Sequence, residues 1–234
     1  MTSLPRGAAP ARHALYLHGG AYIHEIIPRH WSLIAKTAVA SSTRFTVPIY
    51  PVAPLGVAED VVPAATDLAE EIIARVGADR TALLGDSAGG GMAMAVALQL
   101  RERGLAAPYR TVLISPWLDV SLTAPDIPAL AAKDHFLAPA GLAAAGELYR
   151  GELPAEDTRV SPIKGDFSGL GPITLLSGTL DILHSDAKRF VPLARAAGVP
   201  VDYYEAPGMI HVFPLFPIPE AKRARQISAE ALMT

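Results

Sequence analysis

The chain contains no cysteine, which removes disulfides and thiolate metal ligands as sources of stability or chemistry. It has no uninterrupted apolar run near the roughly 18 residues that a membrane-spanning helix requires. Charge is sparse and balanced. There are 20 Lys and Arg against 23 Asp and Glu, a net −3, without the basic cluster that grips nucleic acid. The opening residues, MTSLPRGAAPARHALYL, lack the basic segment and apolar stretch of a signal peptide. A cytoplasmic protein is therefore expected, in keeping with the absence of cysteine. What the chain has in quantity is hydrophobicity: half of its 234 residues, enough for a sizeable core. One domain over residues 1–234 is the economical organisation.

Short apolar runs alternate with longer segments of helical period. Strands are expected at Ala14–His18, Arg44–Ile49, Thr81–Leu84, Thr111–Ser115, Ile173–Ser177 and Val201–Glu205. Most are apolar at successive positions, as strands covered on both faces must be. Helices are expected over Trp31–Ala40, Val61–Val76, Gly91–Arg103, Pro139–Arg150, Asp186–Ala197 and Glu220–Leu232, with Pro192 expected to kink the fifth or shift its start. This alternation predicts an α/β fold: a mostly parallel sheet of about six strands with helices on both faces. Residues 116–170 break the alternation and read as an excursion over the sheet edge. In such sheets ligands bind beyond the C-terminal ends of the strands.

Four of those ends carry chemistry. Gly85-Asp86-Ser87-Ala88-Gly89 is a G-x-S-x-G between a strand and a helix, the context that lifts a serine hydroxyl above a sheet. A phosphate-binding turn is the competing reading, but no Gly-Lys-Ser/Thr follows and no G-x-G-x-x-G fits residues 85–94. His18-Gly19-Gly20-Ala21-Tyr22 ends the first strand, and its small residues would let a substrate approach backbone N–H donors closely. Past the later strands stand Asp181, with Asp186 as its rival for orienting an imidazole, and His211. Asp181 follows Ser87 by 94 positions and His211 follows Asp181 by 30. The order Ser, Asp, His is that of the nucleophile-elbow hydrolases.

With HGGAY, Tyr50-Pro-Val-Ala-Pro54, GDSAGG, Ser115-Pro-Trp-Leu-Asp119, the Asp-x-Leu at Asp181 and GMIHVF, the chain resembles the hormone-sensitive-lipase-like branch of the α/β-hydrolase fold, bacterial esterase family IV. These blocks span residues 14 to 213. The resemblance implies Ser87 as nucleophile, His211 as general acid and base, and Asp181 as its orienting acid. It implies backbone oxyanion donors at Gly20, Ala21 and Ala88, a structural role for His18, and no metal or organic cofactor. Position 21 departs from the glycine of many members, and its Cβ narrows the acyl side. Members carry a long segment ahead of HGG, whereas 17 residues precede His18 here. A truncated N-terminal cap follows, with a reduced lid made mainly from residues 119–150 and an uncovered sheet edge at Arg44–Tyr50 that pairing or self-association would protect.

The expected activity is hydrolysis of small, short-acyl carboxylic esters through an acyl-enzyme. His24 and Trp117 are the substrate-contact candidates, followed by Tyr22, His30, Trp31 and Phe213. An arylformamidase or lactonase would use the same triad. A non-catalytic small-molecule receptor of this fold is the alternative from another class, but such receptors tend to lose the histidine and His211 is in place. The expected partners are a small ester substrate and a further copy of the chain, with neither nucleic acid nor a membrane span.

Overall fold

The computed structural model describes Thr2–Ser3 and residues 12–234. One sheet organises the fold. Its strands are β1 (Thr2–Ser3), β2 (Arg12–Leu17), β3 (Thr43–Thr46), β4 (Thr81–Asp86), β5 (Arg110–Ile114), β6 (Ile173–Gly178) and β7 (Val201–Ala206), in the order β1-β3-β2-β4-β5-β6-β7. β2 to β7 run parallel, as their apolar composition predicts. The edge expected to lie uncovered is paired within the chain, because β1 lies antiparallel on β3 with Thr2 opposite Thr46. β3 is shorter than expected and ends before Pro48, whose missing N–H cannot continue a ladder.

Side-chain alternation splits the core into two layers. Leu15, Leu17, Leu83, Leu113 and Leu175 face a cluster built with α2 (Ala58–Val76), α3 (Ala88–Glu102), α5 (Pro139–Arg150) and α6 (His184–Ala196). Ala14, Tyr16, Ala82, Leu84, Val112 and Ile114 face the opposite cluster, closed by α1 (Pro28–Ser41) and α7 (Pro219–Ala231). Period-2 strands buried on both faces are what this sandwich demands. α6 starts ahead of Pro192 and runs through it, since burial of Phe190, Val191 and Ala194 holds the helix on the sheet despite the lost N–H. Within 116–170 there is a short helix that the sequence reading lacked, α4 (Ile127–Ala131), ahead of α5. No helix among the described residues is long and apolar enough to cross a membrane.

The chain steps from β2 outward to β3 and then back across β2 to β4. The strand order therefore reverses between β2 and β4, and the chain leaves β2 for α1 on one face and β4 for α3 on the other, the kind of switch point at which open α/β sheets bind ligands. Register places Leu17 opposite Gly85, so His18-Gly19-Gly20 and Asp86-Ser87 emerge side by side. Gly89 makes this approach possible. A Cβ there would fall against the carbonyl oxygen of Leu17 and 2.5 Å from that of His18. Backbone cannot yield as a flexible side chain would. Gly89→Ala is therefore expected to lower the unfolding free energy by about 3 kcal/mol or more, at the upper end of overpacking costs. Denaturant unfolding with a midpoint equal to that of the unmodified chain would refute this.

Candidate active site

β4 ends at Asp86 and α3 begins at Ala88, so Ser87 alone makes the turn. Its φ of 52° and ψ of −123° are strained for a residue with a Cβ. Neighbouring strands over-determine that conformation. The Ser87 N–H donates to the Ile114 carbonyl at 2.9 Å, and the Ser87 carbonyl accepts from Trp117 N–H at 3.0 Å. The hydroxyl is thereby fixed above the sheet edge at the N-terminus of a buried helix.

Two loops bring the partners. Asp181 lies just past β6 and His211 just past β7, and the loops are tied where Gly208 N–H donates to Thr179 Oγ1 at 2.8 Å. His211 Nε2 stands 2.8 Å from Ser87 Oγ, and His211 Nδ1 stands 2.8 Å from Asp181 Oδ2. The other Asp181 oxygen accepts from Leu183 N–H at 2.8 Å. A carboxylate can only accept, so the His211 proton sits on Nδ1 and Nε2 is free to take the Ser87 proton. All three side chains are buried. Asp186, the rival acid, is elsewhere. Its Oδ2 accepts from Leu118 and Asp119 N–H at 2.9 and 3.1 Å, and burial pushes its carboxyl up to about 7.

The loop after β2 presents backbone donors. A trans peptide points its C=O and N–H in opposite directions, so tying the carbonyl outward aims the N–H inward. His18 Nδ1 lies 2.7 Å from the Gly19 carbonyl, which turns the Gly20 N–H away from it. The Gly20 carbonyl accepts from Ile23 and His24 N–H at 3.0 and 2.9 Å, which turns the Ala21 N–H likewise. Among the described residues the N–H groups of Gly20, Ala21 and Ala88 donate to nothing. Ala21 and Tyr22 both have positive φ, at 51° and 63°. Tyr22 is held there by its ring, stacked on Tyr149 of α5 at 3.5 Å, and by its carbonyl, which accepts from Ala53 N–H at 2.8 Å.

The remaining sequence candidates divide. His24 is exposed beside this loop. Trp117 is packed in the core against Tyr22, with its indole N–H on the Asp119 carbonyl at 2.9 Å. Tyr22 and Phe213 are buried, His30 is bonded to Asp86, and Trp31 packs on the second core layer. Three contributors have no role assigned from the sequence, although Ser115 stands in one of the blocks quoted above. Ser115 Oγ accepts from Val212 N–H at 3.1 Å and so anchors the His211 loop. Phe136, half exposed, sets its ring 5.8 Å from that of His211 and so brings the excursion to the triad. Asp134 fixes that segment: its carboxylate accepts from Phe136 N–H at 2.7 Å and from Ile182 N–H, beside Asp181, at 2.9 Å. The motif at Ser115 does not say what its hydroxyl bonds, and a lone Phe or Asp in a loop carries no periodic signal that could have revealed the other two. Among the described residues no group of three or more His, Cys, Asp or Glu is placed to hold a metal ion.

A buried Ser-His-Asp relay beside three unengaged backbone N–H groups can attack a carbonyl and hold the resulting oxyanion. Residues 14–215 match the family model described as the alpha/beta hydrolase fold. An acetyl-hydrolase of Streptomyces hygroscopicus is 33% identical over 229 residues, covering 95% of this chain and 76% of that protein. A triacylglycerol lipase of Mycobacterium tuberculosis is 35% identical over 196 residues, where the chain spans only 40% of the lipase's length. A solved esterase from the bacterial hormone-sensitive lipase family superposes with a TM-score of 0.93 at 30% identity, covering 99% of this chain and 79% of that one. The chain belongs to the α/β-hydrolase fold family and, within it, to the bacterial hormone-sensitive lipase family.

Proposed function

We propose that the chain is a serine carboxylic-ester hydrolase acting on small esters with short acyl groups. The observation that carries this reading is the unbroken relay from Ser87 Oγ through both His211 nitrogens to Asp181, each step 2.8 Å. His211 Nε2 takes the Ser87 proton as the oxygen attacks the ester carbonyl, and Asp181 stabilises the imidazolium that forms. The oxyanion is held by the N–H groups of Gly20, Ala21 and Ala88, with the α3 N-terminus adding its positive dipole end. His211 returns the proton to the departing alcohol, leaving an acyl group on Ser87. Water, deprotonated by His211, then attacks that acyl carbon and releases the acid.

Short acyl groups are supported by the Cβ of Ala21 in the donor loop and by Phe136 beside His211. The name of the Streptomyces relative, an acetyl-hydrolase, agrees. Residues 119–150, with α4, Phe136 and α5, serve in this reading as a partial lid over one α/β-hydrolase domain. A cytoplasmic setting belongs to the same proposal and rests on the cysteine-free composition. Self-association belongs to it too, supported by β7, the last strand of the sheet order.

The test is hydrolysis of nitrophenyl esters from acetyl to decanoyl, with peptide mass mapping after a 4-nitrophenyl alkylphosphonate. Turnover is expected to be fastest at the short end, and one phosphonyl group per chain is expected on Ser87. A folded chain with no hydrolysis would overturn the reading. Rates rising toward decanoyl would overturn the short-acyl assignment.

A further inference from the structure

One buried carboxylate next to the triad takes no part in the relay. Asp86, 1% exposed, precedes Ser87 and ends β4. Its Oδ1 accepts from Tyr16 O–H at 2.5 Å and from Gly19 N–H at 3.0 Å, and its Oδ2 lies 3.2 Å from His30 Nε2. The tautomer of His30 follows from its other side. Ile27 N–H donates to His30 Nδ1 at 3.0 Å, so Nδ1 is a lone pair and the proton sits on Nε2, facing Asp86. His30 is therefore neutral, and three neutral donors surround an ionised Asp86. Burial alone would push its carboxyl up, but the bonds from His30, Tyr16 and Gly19 hold it below the ordinary carboxylate value.

A full negative charge beside an oxyanion site opposes the charge that develops there, so electrostatics does not explain its presence. Geometry does. Gly19 is the residue before the first loop donor, and Asp86 is the residue before Ser87. The Gly19–Asp86 bond thus joins donor loop to serine turn with one residue of slack on each side. Tyr16 extends the tie to β2 and His30 extends it to α1. We propose that Asp86 is a positioning residue that locks the Gly20–Ala21 donor loop at a fixed distance from Ser87, a role that rests on the ester-hydrolase reading above.

Asp86→Asn tests the lock without changing size. Its amide oxygen can serve only one side, and its NH2 then faces a donor; turned toward His30 it meets the Nε2–H. Hydrolysis per phosphonate-titrated Ser87 is expected to fall about 10²-fold in kcat, the scale of losing one oxyanion donor, while KM for nitrophenyl acetate is retained. Affinity for an alkyl trifluoromethyl ketone, which forms the tetrahedral oxyanion on Ser87, should fall by the same factor. Adding His30→Gln supplies an acceptor near the Nε2 position, and the double variant should regain most of the loss. Amide exchange at Gly19, Ile23 and His24, the N–H groups of this loop that have partners, should quicken in Asp86→Asn, a readout independent of turnover. If Asp86→Asn does not fold, Tyr16→Phe removes one donor and should show a smaller fall with the same split between kcat and KM. Unchanged exchange together with unchanged kcat and ketone affinity would overturn the lock. Absence of turnover in the unmodified chain would overturn the hydrolase reading instead, with exchange still deciding the lock.

Discussion

Ser87→Ala is expected to lower kcat about 10⁶-fold against a nitrophenyl ester, since members of a relay act as a unit. The burst that reports acyl-enzyme formation should vanish with it. The fold should survive, because what holds the turn is backbone: Ser87 N–H on the Ile114 carbonyl and Trp117 N–H on the Ser87 carbonyl. Removing the hydroxyl therefore takes away the nucleophile while the donors at Gly20, Ala21 and Ala88 remain. Those donors should leave a residual rate of about 10³-fold over water. Adding His211→Ala to Ser87→Ala should cost little more, because the imidazole has no proton to take once the hydroxyl is gone. Activity of the single variant near that of the unmodified chain would place the chemistry elsewhere.

The second large effect is predicted for Asp181→Asn, about 10⁴-fold in kcat with the overall structure preserved. The amide fits the site in one orientation. Its oxygen takes over the Leu183 N–H, and its NH2 then faces His211 Nδ1. An NH2 there donates to Nδ1 and moves the imidazole proton to Nε2, where it confronts the Ser87 hydroxyl as a second donor. The base is lost through the wrong tautomer, while distances hardly change. Asp186→Asn is the control, since that carboxylate serves the Leu118 and Asp119 N–H groups and does not touch His211. It should leave kcat far less affected. The reverse outcome, with Asp186 decisive and Asp181 dispensable, would exchange the two assignments.

Legibility in the sequence followed the range of the interactions. The central strands β2, β4, β5 and β6 were readable because burial on both faces imposes apolar residues at successive positions, as in Leu83-Leu84 and Val112-Leu113-Ile114. The serine turn was readable because a strand, a tight turn and a helix must follow one another within a few residues around Ser87. Asp181 and His211 were readable from their order and from their places at strand ends. α4 was not, since five residues starting with Ile127-Pro128 carry too little period to stand out. Neither was β1, whose two residues owe their extended pairing to β3.

Local composition and chain order were therefore sufficient for the α/β architecture, the nucleophile candidate and the two partners that serve it. Each depends on backbone sterics or on burial, which act over neighbouring residues and leave a pattern. Which acid meets His211, where the Gly20 and Ala21 donors point and what Asp86 holds depend on groups tens of residues apart. Asp181 and Asp186 are equivalent as text, and the β6 turn sends one to the imidazole and the other to a backbone pair. Trp117, whose N–H bonds the Ser87 carbonyl, is drawn into the core because its ring is worth more buried against Tyr22 than lining an opening. A hydrogen bond is decided within tenths of an ångström, and only the packed sheet, with its register of Leu17 on Gly85, sets separations that finely.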